Sequence, residues 1–278
     1  MASRALKLSS VYATAELACA PLRAGSTVAY CYRVIRELSA GGMSQLYLVE
    51  HLPSGSYAAL KVAARTSCQV LPREYALLQR AAHPNVVKAF EHGRLHDERR
   101  YLVLQLVPGA DLAAWLSTYR QLRPAQTMSV LFQLSAAVDH LHELGIVHSD
   151  IKPSNVMLNV HDQRVTLIDF GVAFDFDRER AQRGSSGTRG YMAPEQVRGR
   201  GCGPASDRYA VAAVAQELLG LRSSGQALAT RKLGRSRAAW SKQAALSAVF
   251  RRALHPTPSA RYATAHNFVS ALARALSV

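Results

Sequence analysis

Long hydrophobic runs are missing from this chain. No apolar stretch reaches the roughly 18 residues that a membrane-spanning helix needs, so the sequence offers no membrane span. Cysteine is sparse, with 4 in the chain, and Cys19, Cys31, Cys68 and Cys202 lie far apart. That spacing excludes a zinc knuckle and a redox pair, and it fits reduced thiols in a cytoplasmic protein. Acidic residues are in short supply too: 19 against 34 basic ones, a net charge of +15. The resulting field attracts acidic proteins, small anions, nucleic acids and membrane surfaces. However, no block of five or more like charges occurs, which favours a solvated Arg-rich surface. The densest basic region, residues 222–261, lacks the interleaved aromatics of a single-strand platform, so a nucleic-acid partner is not expected.

What is present reads as a globular protein, since 49% hydrophobic and 19% charged residues support a sizeable core. In residues 1–20, Arg4 and Lys7 precede an Ala-rich stretch, but Glu16 interrupts it before a secretory run forms. Residues 1–30 therefore read as a soluble N-terminal extension. From residue 31 to 107 the chain reads as strands and turns with one main helix. Residues 47–50 and 57–62 are strand-like, and Pro53, Ser54 and Gly55 make the turn between them. Pro72 suits the first turn of a helix running to about Ala82, which His83, Pro84 and Asn85 break. Residues 86–90 and 101–107 are further strand candidates. Pro108 and Gly109 read as a hinge, and residues 108–278 turn mostly helical. A short helix is expected over 112–116 and a long one from Pro124 to Gly145, a residue suited to a C-terminal cap. Short strands over 155–159 and 165–168 flank a turn at His161 and Asp162.

The chemistry lies just after the long helix. His148, Ser149, Asp150, Ile151, Lys152, Pro153, Ser154 and Asn155 follow one another, and Asp169, Phe170 and Gly171 come 14 residues after Asn155. Ala193, Pro194 and Glu195 follow in turn. Singly these triplets say little. In this order and spacing they closely resemble the catalytic loop (H-R-D-L-K-P-x-N), D-F-G and A-P-E motifs of eukaryotic-type (Hanks-type) protein kinases. The flavour is that of bacterial Ser/Thr members. The resemblance covers about residues 32–275. It implies the two-lobed α+β kinase fold, with lobes at 31–107 and 108–278, and an ATP-dependent serine/threonine kinase that modifies protein substrates and itself.

The residue types suit phosphoryl transfer, which needs positioning and charge neutralisation more than covalent chemistry. By resemblance Asp150 accepts the proton of the substrate hydroxyl, and Lys152 steadies the moving phosphoryl group. Lys152 also favours serine and threonine over tyrosine as acceptors. Asn155 and Asp169 supply the hard oxygens that magnesium prefers, and manganese can take its place. Upstream, Lys61 ends a strand resembling the one that holds the ATP phosphates. Glu74 shares the apolar helix face with Leu77, Leu78 and Ala81, where an unpaired carboxylate is costly, so Lys61 is its expected partner. The glycine-rich loop over the phosphates is reduced to Gly41 and Gly42, with serines at Ser39 and Ser44. By resemblance Leu38, Leu46, Ala59 and Met157 are expected around the nucleotide, with Leu104 as gatekeeper and Gln105 to Val107 as the hinge. Asp207 resembles the helix aspartate that holds the catalytic-loop backbone. Arg261 resembles the late arginine that pairs with Glu195, and Thr188 the threonine that touches the catalytic loop. The basic second lobe favours an acidic protein partner.

Two departures stand out: the depleted glycine loop, and Ser149 where the family carries an arginine that pairs with an activation-loop phosphate. Together they raise the alternative of a pseudokinase, a nucleotide-binding regulatory scaffold. The intact set Lys61, Glu74, Asp150, Asn155 and Asp169 argues against it. A small-molecule phosphotransferase of related fold is a third reading, but it would lack a segment like 187–195. Without the arginine, activity is expected not to depend strongly on a phosphate docked at this loop. Ser185→Ala and Ser186→Ala should each keep substantial transfer activity; complete loss restored by phosphorylation would overturn this.

Overall fold

The computed structural model describes residues 21–40, 44–63, 69–119, 122–179, 187–221 and 237–277. The expectations placed on residues 1–20, Gly41, Gly42, Ser185, Ser186 and 222–236 thus lie outside the described residues. The chain forms two compact units, one of residues up to Gln79 with Lys88–Leu106, the other of Arg80–Val87 with the residues from Val107 onward.

The first unit is an antiparallel sheet with one helix. Its strands are β1 (Thr27–Val28), β2 (Tyr32–Ala40), β3 (Ser44–His51), β4 (Ser56–Ala63), β5 (Ala89–Arg94) and β6 (Arg100–Gln105), in the order β1-β2-β3-β4-β6-β5. Side chains alternate along a strand. Tyr32 and Val34, Tyr47 and Val49, and Ala58, Leu60 and Val62 accordingly face one core with Tyr101 and Val103. The helix, α1 (Val70–Arg80), buries Leu71, Glu74, Leu77 and Leu78 on one stripe. It starts two residues before Pro72 and stops before Ala81, because His83, Pro84 and Asn85 cannot continue it. Residues 86–90 do not form one strand. Val86 makes an isolated parallel bridge to Leu167, and the strand begins only at Ala89. The reason is local: Asn85 Nδ2 donates to the Val165 carbonyl at 2.7 Å and to Gln133 Oε1 at 2.9 Å, which commits this stretch to the second unit.

The second unit begins with β7 (Ala110–Asp111) and α2 (Leu112–Tyr119), a turn longer than the sequence predicts. The long helix α3 (Pro124–Glu143) carries proline at its first position and buries Val130, Leu131, Leu134, Ala137, Val138 and Leu141. Gly145 follows it with φ +69, the left-handed step that ends a helix. Next come β8 (Ile146–Val147), β9 (Val156–Asn159) and β10 (Arg164–Leu167); the last two form a hairpin whose open edge pairs with β7. Then β11 (Phe174–Asp175) returns to pair with β8. Four helices follow among the described residues after short α4 (Phe176–Glu179): α5 (Pro194–Val197), α6 (Pro204–Leu218), α7 (Arg237–Ala253) and α8 (Ala265–Ser277). Alanine and valine let α6 be buried almost all round, as its run from Ala210 to Ala215 is. Helix α8 packs on α3 and α7, its first N–H groups at Ala265 and His266 capped by the Asp139 carboxylate at 2.8 Å. Among the described residues no helix is long and apolar enough to cross a membrane.

Gly109 is required by close approach. Its φ is +107, and an added Cβ would lie 2.2 Å from the Leu158 carbonyl oxygen. Gly109→Ala should cost at least about 2 kcal/mol through strain and displaced backbone. Thermal denaturation checks this, and an unchanged melting temperature would contradict the contact.

Candidate active site

The pairing of β8 with β11 delivers the chain to His148. Ser149 then takes φ +70, a conformation unfavourable for any residue but glycine. The buried Asp207 carboxylate, in the first turn of α6, holds this bend by accepting the N–H groups of His148 and Ser149, both at 2.9 Å. His142, near the end of α3, donates to the same carboxylate from Nε2 at 3.0 Å. Burial pushes the Asp207 pKa up, but the hydrogen bond and charge of His142, with His148, outweigh it and leave Asp207 below its usual range. From the other side, Gln196 Nε2 donates to the Ser149 carbonyl at 3.1 Å.

The His148 ring is fixed as well. Its Nε2 lies 3.1 Å from the Ile168 carbonyl, which can only accept, so Nε2 carries the proton. Its Nδ1 then accepts the Asp150 N–H at 3.3 Å. The ring meets Phe170 edge-on, with centroids 4.8 Å apart and Phe170 almost fully buried. Asp169 beside it adopts φ +62.

This frame gathers Asp150, Lys152, Asn155 and Thr188. Lys152 Nζ donates to Asp150 Oδ2 and to Thr188 Oγ1, each at 2.7 Å, and Thr188 Oγ1 donates to Asp150 Oδ1, also at 2.7 Å. Asn155 Nδ2 donates to the Asp150 carbonyl at 2.8 Å, so its remaining polar atom, Oδ1, is an acceptor. The Ile168 N–H donates to the Asn155 carbonyl at 2.9 Å, which brings Asp169 beside Asn155. An oxygen-rich pair of this kind fits a hard divalent cation.

The segment after Thr188 is anchored through Glu195. Arg261, its side chain fully buried, forks onto both carboxylate oxygens at 2.7 Å, and Ser206 Oγ adds a bond at 2.9 Å. Burial raises the Glu195 pKa, but the Arg261 and Ser206 hydrogen bonds overcome this and hold it low. Tyr191 donates its hydroxyl to the Glu217 carboxylate.

In the first unit, Lys61 Nζ donates to both oxygens of Glu74, at 2.8 and 2.9 Å, and the Glu74 side chain is only 1% exposed. Leu46 lies across from Lys61 in register, and Ala59 lies between Leu48 and Leu104. Leu38 sits half-buried on β2, and Gln105 closes β6. Met157 and Val107 belong to the second unit, Met157 opposite Thr166 and Asp111.

The structure thus brings together each expected pair that lies within one unit: Lys61 with Glu74, Asp207 with the loop backbone, Glu195 with Arg261, and Thr188 with the loop. Sequence reasoning missed Gln196, Ser206 and His142. Only the immediate succession of Gln196 to Glu195 and the first-turn place of Ser206 hinted at them.

A comparison with known families matches residues 32–270 to the protein kinase domain. The serine/threonine-protein kinase Pkn1 of Myxococcus xanthus is 35% identical over 268 residues, covering 88% of this chain and 38% of that protein. PrkC of Bacillus subtilis, also a serine/threonine-protein kinase, is 29% identical over 203 residues, covering 70% of this chain and 31% of its own. The chain therefore spans only about a third of these relatives. A crystal structure of a kinase domain superposes with a TM-score of 0.72 at 17% identity, covering 91% of this chain and 98% of its own, a likeness of fold.

The two depressed carboxylates set an acid limit. Each stabilises the fold fully above the ordinary carboxylate value near ~4, and that stability is lost as pH falls through the lower folded value. The contribution of these two carboxylates to stability, followed by denaturant, should be level down to about pH 5 and fall below about pH 4. Asp207→Asn should be less stable at neutral pH and show a shallower acid decline; an unaltered decline would refute the assignment.

Proposed function

We propose that the chain, which belongs to the protein kinase domain family, transfers the γ-phosphoryl group of ATP to serine and threonine hydroxyls of proteins, itself included. The observation that carries this reading is the hydroxyl of Thr188, held between a carboxylate and an ammonium group. It donates to Asp150 at 2.7 Å and accepts from Lys152 at 2.7 Å. An acceptor hydroxyl in the same relation would direct its proton at Asp150, the proposed general base, with Lys152 beside the incoming phosphoryl charge.

Magnesium, with manganese as a substitute, would neutralise phosphate charge and be held by Asn155 Oδ1 and Asp169. Lys61 would bind the ATP phosphates, and Glu74 would orient it. Leu38, Leu46, Ala59 and Met157 would surround the base, with Gln105 and Val107 at its polar edge and Gly41 and Gly42 over the phosphates. On this reading the chain would divide into lobes at 31–107 and 108–278 after an N-terminal extension of residues 1–30, whose Thr27 and Val28 nonetheless pair with β2. Cys31 and Cys202 are free thiols, which supports a cytoplasmic working place, and the basic charge supports acidic protein substrates.

Incubation with labelled ATP and magnesium, alone and with a generic protein substrate, tests the reading. Asp150→Ala should lower transfer roughly 10²–10⁴-fold. Lys61→Met should lower it too. Wild-type transfer no higher than that of these variants would leave only a nucleotide-binding or scaffolding role.

A further inference from the structure

Residues 187–203 carry four charged side chains: Arg189, Glu195, Arg198 and Arg200. The one carboxylate is consumed internally, since Arg261 and Ser206 occupy it. The three arginines are exposed, and none enters an ion pair among the described residues. The turn between them is open as well: a Cβ at Gly199 or Gly201 would meet nothing within 4 Å. Beside it, Val197 is 62% exposed.

This basic stretch is fastened to the loop that bears Asp150 at two points. Thr188, next to Arg189, donates to Asp150 at 2.7 Å, and Gln196, two residues before Arg198, donates to the Ser149 carbonyl at 3.1 Å. The arginines are therefore held at a set distance from Asp150, unlike charges on a free tail. An extended peptide advances about 3.3–3.6 Å per residue, so residues flanking an acceptor at Asp150 run over the surface of the surrounding segment. Guanidinium forks suit carboxylates, which they engage through paired N–H groups.

We infer that Arg189, Arg198 and Arg200 form a docking surface that selects protein segments with carboxylate side chains close to the acceptor serine or threonine. The inference rests on the kinase reading above and names the substrate class for that same site. Exposed ion pairs are individually weak, so the discrimination is collective and sensitive to salt.

The test uses peptides of one length and one acceptor, flanked by glutamate, alanine, lysine or phosphoserine. Transfer to the glutamate peptide should exceed transfer to the alanine peptide about tenfold at low ionic strength, as expected from three weak pairs acting together. The lysine peptide should be poorest, and the gap should narrow as salt is raised. Phosphoserine flanks outrunning glutamate flanks would replace the carboxylate assignment with a phosphorylated one. The double variant Arg198→Glu, Arg200→Glu should shrink or invert the order, and peptide binding measured by fluorescence anisotropy should shift in parallel. Equal use of glutamate and alanine flanks, or an order unchanged in the variant, overturns the inference. Autophosphorylation in the same samples separates the two readings. With it present and no flank preference, only the docking surface falls; with no transfer of any kind, the kinase reading falls and the docking surface with it.

Discussion

The Asp207 carboxylate is wholly buried, and a buried charge is tolerated only where its partners replace the water it has lost. Here two backbone N–H groups and the His142 imidazole supply them. The backbone bonds matter most for function. They fall on His148 and Ser149, where φ reaches +70, so the carboxylate stabilises a bend the chain would otherwise avoid. That bend turns Asp150 toward Lys152, Asn155 and Thr188. The loop bearing Asp150 depends on one side chain from a helix more than fifty residues downstream.

The other polar contacts extend the same arrangement outward. His148 ties the bend to the Ile168 carbonyl and, through its ring, to Phe170. Asn155 ties it to the residue before Asp169. The Glu195–Arg261 pair fixes the far end of the segment bearing Thr188. A buried ion pair is not by itself a large source of stability, because desolvation offsets much of its attraction. Its forked geometry, however, allows only one orientation. Arg261 also donates to the carbonyls of His255 and Ala205 and stacks over Tyr209, so the guanidinium has no alternative position. These interactions hold groups in relation to one another, which is what phosphoryl transfer asks of a protein.

Much of this was legible in the sequence, for an identifiable reason. Asp150, Lys152, Asn155, Asp169, Lys61 and Glu74 are residue types that chemistry dictates, and their order along the chain is distinctive. Hydrophobic alternation revealed the strands, and Pro124 and Gly145 marked the ends of the long helix. What escaped notice depended on partners distant in sequence. Gln196 reads as an ordinary surface amide in a four-residue helix, and its hold on the loop comes from the Ser149 carbonyl that folding brings within 3.1 Å. His142 reads as a polar residue near a helix end until Asp207 meets it. The strand expected at 86–90 failed because Asn85, through its side chain, binds that stretch to another part of the chain.

Ser149 shows how a departure from a family pattern is accommodated. An arginine at this position would carry a charge outward to meet a phosphate. The serine instead stays 6% exposed, with its N–H on Asp207, its carbonyl on Gln196 and its hydroxyl accepting the Cys202 thiol at 3.6 Å. Each polar atom has a protein partner, so no buried group calls for an added charge. The Gln196 amide joins the loop to the following segment without an ionisable group on either side, and Thr188 joins them again at Asp150. A neutral amide cannot be switched by adding or removing a phosphate. The loop and the segment are therefore coupled by contacts the folded chain supplies itself.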